Sequence, residues 1–234
     1  MTRHLTTFAV LLVAGTCFVR TASAQYSTPP LSAKEKERIY NFAIEKRTSD
    51  ILDVLSLTDP DKIQSVHDTI VTQYHALRDR DDALDKMFKA LSKDSPDVET
   101  NRLAILRILS RTLHNNFLIK LARYLTPEQI EKVKDKMTYG KVEVTYHAYD
   151  EIVPGLTDSD KAKIMELLKD AREEAIDGGS ADEKSAIFQV YKDRINAYLD
   201  AHGHDVAQAY RDWNAKQEMA KKQEGQTATP EESN

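Results

Sequence analysis

The 234-residue chain carries 33 basic and 38 acidic side chains, a net charge of −5 with no basic block, which argues against a nucleic-acid partner held through phosphates. Its one cysteine, Cys17, falls in the N-terminal segment, so the chain after that segment has no disulfide, no thiol nucleophile and no cysteine-ligated zinc. A chain of this length can bury roughly 70% of its unfolded surface, enough to be held by its core alone.

Residues 1–24 read as a secretory signal peptide. Arg3 and His4 form a short polar start, and the stretch from Leu5 to Val19 is mostly apolar but too short for a membrane span. Ala22-Ser23-Ala24 supplies the small residues of a cleavage site before Gln25. Lipid attachment at Cys17 would want a smaller residue than Thr16 before it. Cleavage removes Arg3 and Arg20 and no acid, taking the net charge to −7. No later segment is apolar enough to cross a membrane, so the expected location is the periplasm or the exterior.

Helix starts recur down the chain as leucine followed by a hydroxyl residue: Leu31-Ser32, Leu57-Thr58, Leu125-Thr126 and Leu156-Thr157. The hydroxyl can accept a hydrogen bond from an orphan N–H of the first turn, worth roughly 1 kcal/mol. Ser32 with Glu35, and Thr126 with Gln129, have capping-box spacing, and Leu125 can staple to Ile130. Ser180 with Glu183 marks another start, after Gly178-Gly179 closes the preceding helix. The spacings share no period, so this is a repeated capping solution and not a solenoid.

Apolar periodicity then predicts helices over about 33–55, 59–91, 98–124, 127–136, 146–153, 158–177, 181–201 and 205–222. In the second of these, Asp79-Arg80-Asp81-Asp82 reads as a solvated face or a break. The polar tail over 224–234 reads as disordered. The fold class is all-α: a single-domain bundle of seven or eight helices over 25–223.

One stretch departs from the helical pattern. In MTYGKVEVTYHAY, Val142, Val144 and Tyr146 alternate with polar residues, and Gly140 has the position of a helix-ending left-handed residue. Residues 141–144 are therefore expected as an extended connector, with Thr145 capping the short helix that follows. Its tyrosines either plug a gap between helices or offer stacking faces to a sugar or peptide. Arg194 falls among Ile187, Tyr191, Ile195 and Tyr198, on the apolar stripe of its helix. There it needs a partner: a structural one, or a polar group of a ligand. Lys192 and Asn196 are expected to point away from that stripe.

Other constellations carry little. His147, Asp150 and Glu151 have metal-compatible helical spacing but no companion motif, so no metal and no cofactor is expected. His114 reads as a satisfied core histidine, and His202-Gly203 as a helix end. There is no Gly-rich phosphate loop, no GxSxG and no HExxH.

The segments IVTQYHALRD, LTPEQIEKVKDKMTYG, MTYGKVEVTYHAY, PGLTDSDKAKI and AREEAIDGGSADEKSAIFQVYKDRINAYL together resemble the secreted bacterial family known as domain of unknown function 3826. The resemblance spans nearly the whole chain after the leader. It implies a setting among carbohydrate-degradation systems and transfers no catalytic residue. The family pattern has Gly where this chain has Asp193, beside Arg194. LTPEQ also resembles the LTxxQ motif of small periplasmic chaperones such as Spy.

The expected function is therefore non-catalytic binding of a glycan or peptide, with Tyr139, Tyr146, Tyr149 and Arg194 as the ligand-binding residues. An envelope chaperone with an exposed apolar face is one alternative. An enzyme acting on polysaccharide through paired carboxylates is another.

Overall fold

The computed structural model describes residues 30–89 and 96–227, with the side chains of 96–103, 107 and 223–227 excepted. Residues 1–24, expected as a signal peptide, the end of the tail beyond Thr227 and the apolar residue Leu91 lie outside the described residues. Among the described residues there are eight helices and no strand: α1 (Ala33–Leu52), α2 (Pro60–Lys89), α3 (Pro96–Leu121), α4 (Pro127–Met137), α5 (Lys141–Ile152), α6 (Asp158–Ala175), α7 (Ala181–Ala201) and α8 (Val206–Thr227). The all-α class holds.

Local capping sets most of these boundaries. Ser32 Oγ accepts from the Glu35 N–H at 3.2 Å while Glu35 accepts from the Ser32 N–H at 2.9 Å. Thr126 and Gln129 do the same for α4, and Leu125 and Ile130 then pack in one hydrophobic cluster. Thr157 forms a third reciprocal box, with Asp160. Hydrogen bonds from Thr157, then the contact with His204, hold the Asp160 carboxyl down at about 2. The leucine–hydroxyl rule slips once. At α2, Asp59 Oδ1 accepts from the N–H groups of Asp61 and Lys62, so the cap is one residue beyond Thr58.

The buried residues form two clusters. The first gathers Ile51 of α1, Ile70 and Tyr74 of α2, Phe117 and Leu121 of α3, and Val133 of α4. The second gathers Tyr149 of α5, Ile164 and Leu168 of α6, Phe188 and Ile195 of α7, and Val206 just inside α8. Helix α6 serves both, since Ile176 at its end packs in the first cluster.

A seam of charge joins the halves where α4 meets α6. Arg172 is only 4% exposed and pairs with Asp135 at 2.5 Å and with Glu131. Lys134 bridges Glu131 at 3.0 Å and Glu173 at 2.9 Å. Beside it, buried Lys184 donates to the carbonyls of Ala175 and Ile176 at 2.8 and 3.2 Å, closing the C-terminus of α6. Burial pushes its amine down to about 8.

Three expectations are corrected. The run Asp79–Asp82 neither breaks α2 nor faces only water. Arg80 is buried and donates to Ser110 Oγ and Asp81 Oδ1, both at 2.8 Å. Gly178 and Gly179 do not themselves close α6, which ends at Ala175 with right-handed Ile176 as its cap. An added Cβ would stand 3.0 Å from Lys184 Cγ at the first and 1.9 Å from an Asp81 oxygen at the second, so both provide clearance for a close chain approach.

The third correction concerns the tyrosine-rich stretch. It is not an extended connector, and Thr145 caps nothing: α5 begins at Lys141, directly after Gly140. Tyr139 and Gly140 both adopt left-handed φ, +60° and +64°, and turn the chain within two residues. Val142, Tyr146, Tyr149 and Val153 then fall at i, i+4, i+7 and i+11 and form one helical stripe on the second cluster. The alternation of Val142, Val144 and Tyr146 mimics a strand only because i and i+4 satisfy both periods. Val144, 68% exposed, breaks the tie for helix.

Candidate ligand-binding cleft

The four residues expected to form one site are divided among different surfaces. Tyr149 is 9% exposed, and its hydroxyl donates to Asn196 Oδ1 at 2.7 Å and to the Lys192 carbonyl at 3.2 Å. Burial, with Asp193 nearby, pushes that hydroxyl's pKa up. Tyr146 is half-buried on the α5 stripe, edge-on to His147. Tyr139 stands exposed at the α4–α5 corner, in a concavity of about 700 Å³ shared with α1 and α4. Arg194 is exposed and not on the buried stripe. Its guanidinium stacks 4.4 Å from the centre of the Tyr191 ring, which replaces the acid partner that burial would have demanded.

Arg194 borders a concavity of about 600 Å³ between α3, α6 and α7 that is rich in acids. Four of its five acids have structural partners, although the buried Asp177 Oδ1 takes no hydrogen bond. Glu173 pairs with Lys134, and Asp177 lies 3.1 Å from His114. Glu174 accepts from the Tyr191 hydroxyl, and Glu183 accepts from the Gly179 N–H. The hydrogen bond that His114 donates to Asp177 outweighs desolvation and raises the His114 pKa.

The aromatic residues converge elsewhere. A cleft of about 770 Å³ lies between α5, α7 and α8. Ala148, Ile152 and Val144 of α5 form one wall, with Tyr149 at the junction with α7; Gln189, Lys192 and Asn196 of α7 form the second, and Tyr210 and Trp213 of α8 the third. The Tyr210 and Trp213 rings are 6.2 Å apart and tilted by 37°. The Trp213 indole N–H donates to Glu151 Oε1 at 2.8 Å, which fixes the ring across the cleft from α5. Asp200 Oδ1 accepts from the Val206 N–H at 3.2 Å, setting where α8 begins and hence where that wall stands. Chemically, the cleft offers aromatic faces beside amide, ammonium and carboxylate groups, and Tyr210 is 51% exposed.

In the sequence Tyr210 and Trp213 fall on the apolar stripe of the last helix, and Asn196 is expected to point away from the stripe of its own helix. The α8 stripe is real, but among the described residues no further helix covers it. The available signal was its narrowness: Val206, Tyr210 and Trp213 are nearly alone on an otherwise polar helix, and two of the three are aromatic. Asn196 does face away from the Ile195 side, yet toward α5, where it receives the Tyr149 hydroxyl.

The three residues with metal-compatible spacing go to three partners: His147 to Glu143, Asp150 to Lys161 and Glu151 to Trp213. Among the described residues, no group of three or more His, Cys, Asp or Glu is placed to hold a metal ion. Among them, too, no helix is long and apolar enough to cross a membrane.

A search of curated proteins finds no match to this chain. A family model described as "Protein of unknown function (DUF3826)" matches residues 28–219, which take in all the helices up to the greater part of α8. The chain therefore belongs to the DUF3826 family.

Proposed function

We propose that the protein is a non-catalytic carbohydrate-binding protein of the cell envelope, and that its ligand occupies the α5/α7/α8 cleft. The observation that carries this reading is the pair Tyr210 and Trp213, presented together on a wall of a cleft large enough for a sugar of several rings. Sugar rings have apolar C–H faces and hydroxyl edges. An aromatic wall opposite Asn196, Gln189 and Lys192 matches both. The glycan setting implied by the family resemblance agrees with it. The engagement of Glu173, Glu174 and Glu183 by neighbouring groups favours binding over hydrolysis in the α3/α6/α7 concavity.

Calorimetric titration with a panel of neutral oligosaccharides tests the reading. Binding is expected in the wild type and is expected to fall at least tenfold in Trp213→Ala and Tyr210→Ala. Tyr149→Phe, which removes only a buried hydroxyl, should retain it. No heat from any sugar, or binding by a peptide alone, would overturn the carbohydrate assignment.

Export is part of the proposal. The segment 1–24 is removed, and N-terminal sequencing of the secreted product is expected to start at Gln25. A second reading, an envelope chaperone, draws on exposed Phe42 of α1 and Ile108 and Ile119 of α3. It would be supported by suppression of aggregation of an unfolded client that Phe42→Ser abolishes.

A further inference from the structure

We infer that the concavity between α1, α4 and the α4–α5 corner is a second binding site, for a small organic acid: a carboxylate or sulfate carried on a ring. It is separate from the aromatic cleft and does not depend on what that cleft binds.

The first observation is Tyr139. Among the described residues only Ser56 and Tyr139 combine a side chain with positive φ. The left-handed region crowds the Cβ of any L-residue, so glycine would be cheaper at this position. Burial does not offset the cost, because Tyr139 is 44% exposed while its neighbours Met137, Thr138 and Val142 are buried. An aromatic ring held in a costly conformation and left in solvent is placed for something outside the fold.

The second observation is how the charges around that ring are paired. The walls carry Arg47, Lys132 and Lys136, and also Asp50, Asp53 and Asp135. Two of the acids are engaged by cations outside the concavity: Asp50 by Lys46 at 3.2 Å and Asp135 by Arg172 at 2.5 Å. The cations are not similarly engaged. Among the described residues Arg47 and Lys136 form no ion pair and no side-chain hydrogen bond, and Lys132 reaches only the Val54 carbonyl, at 3.4 Å. Asp53 is the one acid left to oppose them. Lys136 lies in the last turn of α4, where a cation also complements the helix dipole, so its charge alone would mark nothing. Arg47 lies inside α1 and has no such role. A guanidinium forks a carboxylate or sulfate, and the phenol ring lining the same concavity offers a flat face to the ring that carries the acid.

Calorimetry with glucuronate, glucose 6-sulfate, glucose and inorganic sulfate tests this. Either acidic sugar is expected to bind at least tenfold more tightly than glucose and than inorganic sulfate, with affinity falling as salt rises. Arg47→Gln and Tyr139→Gly should each weaken it about tenfold, and Trp213→Ala should not. Tyr139→Gly keeps a backbone suited to left-handed φ, so its Tm should equal or exceed the parent's. Failure of both acidic sugars to bind, equal binding of glucose, or unchanged binding in Tyr139→Gly would overturn the proposal. A Tm below the parent's would also overturn it, because the ring would then be serving the fold.

Discussion

The two concavities proposed as sites display tyrosine in opposite ways. In the α5/α7/α8 cleft the aromatic residues sit within regular helices, and the junction is tied down by hydrogen bonds from Tyr149 to Asn196 and from Trp213 to Glu151. At the α1/α4 concavity the ring stands on a left-handed residue and is held by that turn. The first arrangement is stabilising in itself: a core cluster and a cleft wall share one set of side chains. The second costs stability and gains only exposure. Aromatic exposure alone therefore does not tell a by-product of packing from a feature maintained against the fold. The backbone conformation beneath the ring does.

The comparison breaks most sharply at the seam between the two halves. Arg172→Ala would leave Glu131 and Asp135 facing each other without their buried cation, at an expected cost of about 3 kcal/mol. That is the low end for a buried ion pair, because both carboxylates are 45% exposed and partly screened. If the halves depend on each other, denaturant unfolding of this variant stays a single transition at lower midpoint. Two separated transitions would show that each cluster folds alone.

Alkaline pH probes the same seam. Lys184 titrates at about 8 in the folded chain, against 10.5 when unperturbed. Between those values the unfolded chain binds the extra proton, so this group's contribution makes the protein more stable as pH rises from about 8 to about 10.5. The size is about 2 to 3 kcal/mol. Lys184→Met should flatten that rise in urea midpoints measured across the window. An unchanged slope would mean the amine is not held in the buried site.

Trp213→Ala tests the cleft half. A hot-spot aromatic contributes about 2 kcal/mol to binding, so oligosaccharide affinity should fall by well over tenfold. The melting temperature should move only slightly, since the ring is half-exposed.

The smallest effects sharpen the comparison at the corner. An added Cβ at Gly140 meets nothing within 4 Å, so Gly140→Ala should cost about 1 kcal/mol from its φ of +64° alone. Tyr139→Gly, one residue earlier, should cost nothing or stabilise by up to about 1 kcal/mol. Opposite signs at adjacent left-handed residues, read from thermal melts, would confirm that the tyrosine is held there at the expense of stability.

How far the chain could be read follows the range of the interactions involved. Helix starts were legible because a cap joins residues three apart: Ser32 to Glu35, Thr126 to Gln129, Ser180 to Glu183. The all-α class and the family were legible for related reasons, since periodicity and motifs are properties of contiguous residues. Even so, short-range reading erred where two periods coincide, as in the valine–tyrosine run of α5, and where a cap slipped from Thr58 to Asp59.

The site was less legible. Tyr149 was recognised, but its orientation depends on Asn196, 47 positions away. Arg194 was assigned to the stripe, yet a small rotation about α7 brings it over the Tyr191 face and into solvent. Composition and local pattern determined that this chain makes capped helices and where most of them begin. Only packing decided which tyrosines were consumed by the core, that no described helix covers the aromatic face of α8, and which cations kept a charge to spare. Those outcomes depend on burial and pairing between segments far apart in the chain, and such contacts exist only once the helices have assembled.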